Sequence, residues 1–198
     1  MRYLLIIVFC SASLFFSCSQ GEKQEAVPAV EQKTDVELLR EQVQKNPQDS
    51  DAWFHLSDLY DRAKMYQEEV DALKKVIAIK PDMGFAHFKL GTTYNRLGRY
   101  QDAVQSYTNA TKYLKNQPMV YNNMAISYGK LGKIDEEITA LRKAVSIRPT
   151  YSLARFNLGM ALLKKGERNE ALKQYALLKN IDEGVAATLK KEIDAKRK

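Results

Sequence analysis

The sequence predicts an all-α protein, a solenoid of four helix pairs stacked side by side between capping helices. Three observations carry that reading. From residue 50 the chain repeats itself every 34 residues without insertion, in blocks that begin at Ser50, Gly84, Pro118 and Ser152. Apolar residues recur at helical spacing in each block: slot seven holds Leu56, Leu90, Met124 and Leu158, and slot twenty-four holds Leu73, Tyr107, Leu141 and Tyr175. Small and helix-breaking residues also recur. Gly91, Ala125 and Gly159 share slot eight, Gly98, Gly132 and Gly166 share slot fifteen, and Pro81 and Pro149 share slot thirty-two. One such block cannot bury its own apolar face, so stacking is obligatory.

Composition agrees. The 198 residues are 45% hydrophobic and 28% charged, as in globular proteins, and this excludes a polytopic membrane protein. Two cysteines exclude a disulfide framework or a cysteine-built zinc site, and two histidines leave little for a metal centre. A net charge of +7 suits an anionic partner without requiring one.

Taken in order, residues 1–17 open with Arg2, run apolar from Tyr3 to Phe9, and continue through Leu14–Phe16. The run is shorter than the roughly 20 residues of a membrane-spanning helix and reads as a secretory signal. An uncleaved anchor helix is the alternative. Residues 18–35 lack an apolar period, are rich in Gln and Glu, and contain Pro28, which predicts a flexible tether. Residues 36–49, with Leu39 and Pro47 in slots twenty-four and thirty-two of the frame extended backwards, predict an N-terminal capping helix. Repeats follow at 50–83, 84–117, 118–151 and 152–184. Lys115 takes the place of the slot-thirty-two proline in the second, and Pro118 comes three residues later. Residues 185–198 place Val185, Leu189 and Ile193 at spacing four and end in a basic tail, predicting a last amphipathic helix.

This period and slot pattern resembles the tetratricopeptide repeat (TPR) family. The resemblance implies a right-handed α-solenoid whose first helices line a concave groove for a peptide or helix. Ser17–Cys18 resembles the lipobox of bacterial lipoproteins, although Phe15 and Phe16 depart from its usual aliphatic and small residues. That resemblance implies lipidation of Cys18. Ser19 in place of Asp implies an outer-membrane destination, facing the periplasm of a Gram-negative cell.

In the family, slots two, five, six, nine, twelve and thirteen face the groove. Slot five holds Phe54, Phe88, Asn122 and Phe156, and slot six holds His55, Lys89, Asn123 and Asn157. Rings supply contact area and amides supply backbone-type hydrogen bonds, so these residues are the candidate groove; ordinary scaffold is the competing reading. The family's two-carboxylate clamp needs Lys at slot five and Asn at slot nine, and neither stands there. Net charge changes from −2 over residues 50–83 to +4 over 84–117, which predicts a groove running from acidic (Asp51, Asp58, Asp61) to basic (Lys89, Arg96, Lys130, Lys164). Arg62, Arg96, Lys130 and Lys164 share slot thirteen near a helix C-terminus, where a cation also suits the helix dipole. His87 occupies the packing slot of Trp53. No nucleophile motif, phosphate loop or paired-acid signature appears, so the expectation is a protein without enzymatic activity, catalytic residues, metal or cofactor.

The sequence therefore predicts a membrane-tethered adaptor that binds a segment of another cell-envelope protein. The resemblance implies pilus assembly, outer-membrane protein assembly or regulation of peptidoglycan enzymes as its setting. A self-associating envelope component, or a binder of an anionic glycan through the basic half, is the alternative. Nucleic acid is not expected as a partner of a secreted chain.

Overall fold

The computed structural model describes residues 34–196. Of the signal and tether predicted for residues 1–35, residues 1–33, Cys18 among them, lie outside the described residues, as do the last two residues of the tail; Thr34 and Asp35, expected in the tether, instead cap and begin α1. Ten helices follow one another, with no strand among the described residues: α1 (Asp35–Lys45), α2 (Ser50–Arg62), α3 (Tyr66–Ile79), α4 (Gly84–Arg96), α5 (Tyr100–Tyr113), α6 (Pro118–Lys130), α7 (Ile134–Ile147), α8 (Ser152–Lys165), α9 (Arg168–Lys179) and α10 (Glu183–Ala195). The four sequence blocks begin at the first residues of α2, α4, α6 and α8. None of the described helices is long and apolar enough to cross a membrane.

Helix starts at the two ends are fixed by side chains. Thr34 and Glu37 form a reciprocal capping box on α1, Asp49 accepts from Ala52 N at the start of α2, and Asp182 accepts from Val185 N at the start of α10. Between the helices of each pair the chain reverses through a positive-φ residue at slot fifteen. Gly98, Gly132 and Gly166 adopt φ of 72°, 74° and 91°, and Lys64 does the same at 59°. Glycine takes this conformation without steric penalty. Slot eight sets how closely helices approach: a Cβ on Gly91 would lie 2.7 Å from the Tyr107 ring, and one on Gly159 would lie 2.6 Å from Leu189 of α10.

The core forms as linked clusters between successive pairs. One joins α1 to α3 around Val43, Leu56 and Tyr60; another joins α3 to α6 around Val70, Leu73 and Tyr107; the third joins α6 to α10 around Leu141, Leu162 and Leu189. Trp53 packs on the first two and Met124 on the last two, so the clusters are continuous.

The turns that connect one pair to the next share a strut. Trp53 Nε1 donates to Pro47 O at 3.1 Å, His87 Nε2 lies 2.9 Å from Pro81 O, and Arg155 Nε and Nη2 donate to Pro149 O at 3.0 and 2.6 Å. Three different side chains at slot four thus hold the slot-thirty-two proline carbonyl of the preceding helix. Both His87 and Arg155 are buried, and burial lowers the pKa of Arg155. Tyr121, which follows Lys115 rather than a proline, makes no such bond.

Candidate functional site

Slots two, five, six, nine, twelve and thirteen of α2, α4, α6 and α8 line one face, and four surface pockets open along it. The expected slot-five rings are its walls. Phe54 and Phe88 are half-buried against the core between α3 and α6, with the Phe88 ring 5.8 Å from Tyr107, and Phe156 packs on the cluster that reaches α10. The side chains that stand out from the face are at slot two. Phe85 is 55% exposed, Met119 41% and Leu153 49%, one in each of the last three repeats, and Ile126 at slot nine adds a fourth exposed apolar group. Sequence reasoning placed slot two on the groove but missed these residues, because an aromatic or leucine in a helix reads as core until its neighbours are known.

The asparagines divide. Asn122 is buried and does not face a partner: its Oδ1 accepts from Asn157 Nδ2 at 2.9 Å, and its own Nδ2 donates to Asn123 Oδ1 at 3.3 Å. A second set links Ser127 Oγ to Asn95 Oδ1 at 2.8 Å, Asn95 Nδ2 to Tyr107 Oη at 3.2 Å, and Tyr107 Oη to Thr92 at 3.3 Å. Burial holds the Tyr107 hydroxyl above its ordinary pKa, partly offset by Thr92, Asn95 and Asn123. These amides tie neighbouring first helices together, and Asn123 and Asn157 remain half-buried at the surface.

Lys89, expected in the groove, lines a pocket there but is caged by carboxylates. Its Nζ lies 2.8 Å from Asp58 Oδ1, 3.1 Å from Glu69 Oε1 and 3.8 Å from Asp61 Oδ2, and only 17% of the side chain is exposed. Burial opposes its charge, but hydrogen bonds and charge from Asp58 and Glu69 outweigh burial and raise its pKa. Burial also raises Glu69, and Lys89 offsets only part of that. Arg96 is bonded to Asp61, and Asp51 pairs with Lys80 at 2.9 Å. The predicted step from acidic to basic along the groove is thus largely neutralised inside the protein at this junction.

His55 stays exposed and lines a pocket with Asp58, Leu59 and Arg62 of α2 and Leu38 of α1. Lys130 and Lys164 stand at the rim of another, a pocket of about 250 Å³ between α6, α7 and α8. At its base Glu137 Oε2 is buried with no hydrogen-bond partner, and the Lys164 ammonium is 3.9 Å away. Burial pushes the Glu137 carboxyl above the usual carboxylate range, with Lys164 opposing it. Gly129 makes room for this carboxylate, since a Cβ there would come within 2.8 Å of it. Among the described residues no group of three or more His, Cys, Asp or Glu side chains is placed to hold a metal ion.

Family models described as tetratricopeptide repeat match residues 50–83, 86–119 and 120–151, together just over half of the chain. No curated protein matches the sequence. Solved structures match the fold. MamA superposes with a TM-score of 0.72 at 22% identity, covering 77% of this chain and 89% of its own. MamA 41-end from Desulfovibrio magneticus RS-1 gives 0.70 at 17% identity, with 75% and 84% covered. YrrB, described as a TPR protein with an unusual peptide-binding site, gives 0.66 at 18% identity, with 82% and 87% covered.

Proposed function

The chain belongs to the tetratricopeptide repeat family, and from that premise we propose that it is a membrane-tethered adaptor. Its first-helix face docks an extended or helical segment of another cell-envelope protein. The observation that carries the reading is the row of exposed apolar side chains, Phe85, Met119 and Leu153, set one repeat apart beside open pockets. Regularly spaced exposed apolar groups on a rigid helical surface suit a partner segment that presents side chains at intervals. The peptide-binding site of the fold neighbour YrrB supports a peptide as the class of ligand.

The tether belongs to the same proposal. The apolar run of residues 3–16 and the Ser17–Cys18 pair support export and lipidation of Cys18. A lipoprotein cysteine carries two or three acyl chains, enough for stable anchoring where one is marginal. Anchoring concentrates the adaptor and its partner at one membrane surface. Pilus assembly, outer-membrane protein assembly and control of peptidoglycan enzymes are settings of this kind. The scaffold works by binding, with no chemistry of its own.

Affinity capture from crosslinked envelopes tests both halves. Wild type should bring down one or two envelope proteins that a Phe85→Glu/Leu153→Glu variant loses, and Cys18→Ser should move the protein from the membrane to the soluble fraction. Recovery of the bait alone would favour self-association. Capture unchanged by the double variant, with strong salt dependence, would favour a polyanion.

A further inference from the structure

The first and third repeats hold a glutamate at slot twenty, Glu69 and Glu137, where the second and fourth hold Ala103 and Ala171. The two glutamates meet different neighbours. Glu69 Oε1 is answered by Lys89, which enters from slot six of the following repeat and brings its Nζ to 3.1 Å. At the third repeat, slot six of the following repeat is Asn157, and its amide is turned to Asn122 instead. Asp58 and Asp61, which complete the cage around Lys89, have Ile126 and Gly129 as counterparts. Oε2 of each glutamate is buried without a hydrogen-bond partner, but Lys89 bonds the other oxygen of Glu69, whereas the cation facing Glu137, Lys164, stands 3.9 Å away and bonds neither oxygen. The 250 Å³ pocket opens beside that carboxylate, between Glu137 and Asn157.

We propose that this pocket takes a lysine side chain of the docked partner, its ammonium hydrogen-bonding Glu137 Oε2 much as Lys89 bonds Glu69. A buried carboxylate oxygen without a partner is costly, and a donor that reaches it removes the cost. Ile126, Leu141 and Met160 line the pocket and suit the methylene stem of a lysine, which packs on apolar surface while its head is held by charge. Lys164, at 3.9 Å and with its side chain 53% exposed, lies beyond hydrogen-bond distance and keeps its place at the rim when an ammonium enters. There it joins Lys130, and the two rim cations select acidic residues on either side of the incoming lysine. The inference rests on the adaptor reading only for the source of that lysine.

The test uses a capped Glu-Lys-Glu tripeptide against its norleucine analogue, titrated into the labelled protein while the backbone amides of Gly129 and Glu137 are followed by NMR. The lysine peptide should shift both amides saturably, and the norleucine peptide should bind at least tenfold more weakly. Glu137→Ala, which restores the alanine of the second and fourth repeats, should abolish the shift. Asn157→Lys, which supplies from within the ammonium present in the first junction, should abolish it as well. Equal binding of the two peptides, no saturable shift, or binding unchanged in Glu137→Ala overturns the proposal. A random peptide library panned on the wild type separates the two readings. Selected peptides without a lysine between acidic residues overturn the lysine pocket and leave the adaptor. Tripeptide binding with no selected library peptide upholds the pocket and counts against the adaptor.

Discussion

The first and third repeat junctions are the same structure with opposite contents. Around Glu69 the chain gathers Asp58, Asp61, Lys89 and Arg96 into a charge cluster. Around Glu137 the corresponding positions are Ile126, Gly129, Asn157 and Lys164, and only Lys164 faces the carboxylate, although each junction borders a pocket of about 250 Å³. Core slots are alike in both, so the helices stack the same way. Their difference shows that the scaffold and the face it presents are specified by separate residues. Apolar slots fix the stack, and a handful of groove slots decide how far a junction's glutamate is paired from within the chain.

The comparison can be broken most severely at the Glu69 junction. Lys89→Met leaves Glu69 buried beside two further carboxylates and should cost roughly 3 kcal/mol in urea unfolding, as when one partner of a buried pair is removed. Adding Glu69→Ala should recover most of that loss, because the stranded charge is gone. The Glu137 junction should respond in the other direction. Glu137→Ala removes a buried oxygen without a hydrogen bond and should stabilise the protein by about 1 kcal/mol at neutral pH.

That gain should depend on pH. Burial raises the folded Glu137 carboxyl above its ordinary value of 4.5, with Lys164 as the facing cation. The native state therefore binds this proton more readily than the unfolded chain. Wild-type stability from this group is greatest below about pH 4.5 and falls as pH rises through the raised folded value. Thermal melts of wild type and Glu137→Ala should accordingly diverge toward neutral pH and converge in acid. The smallest effect on stability, and the sharpest on function, should come from Gly129→Ala. Alanine is favoured over glycine in a helix by up to about 1 kcal/mol, which offsets the displacement of the Glu137 carboxyl by the new methyl. Melting should change little, and tripeptide binding should be lost.

Much of the fold was legible because a repeat prints its geometry four times. Slot-fifteen glycines mark the reversals, Gly91 and Gly159 mark close approaches, and the slot-seven and slot-twenty-four residues are core or pack against it. Groove chemistry was less legible, since it depends on which side chain from the next repeat arrives at a given place. Lys89 reads as a surface cation because its three carboxylates lie 20 to 31 residues earlier in the chain. Asn122 reads as a groove amide because nothing in its slot reveals that Asn157 reaches back to it. A signal for the open pocket was nevertheless present, as Glu137 interrupts a slot that is alanine in two of the four repeats. The slot-four struts were hidden by chemistry: Trp53, His87 and Arg155 share no property except an N–H that reaches a proline carbonyl.

Those struts have a mechanical consequence. The joints entering α2, α4 and α8 are each braced by a side chain bonded to the proline carbonyl before them, whereas the joint entering α6 has Lys115 and Tyr121 and no brace. Under load or on engagement of a ligand, the array should bend first between α5 and α6. Bending there changes the spacing between Phe85 and Met119 while leaving Met119 and Leu153 in register. On that expectation the unbraced joint divides the face into two segments, the Glu69 cluster on one and the Glu137 pocket on the other, whose mutual angle a bound chain can set.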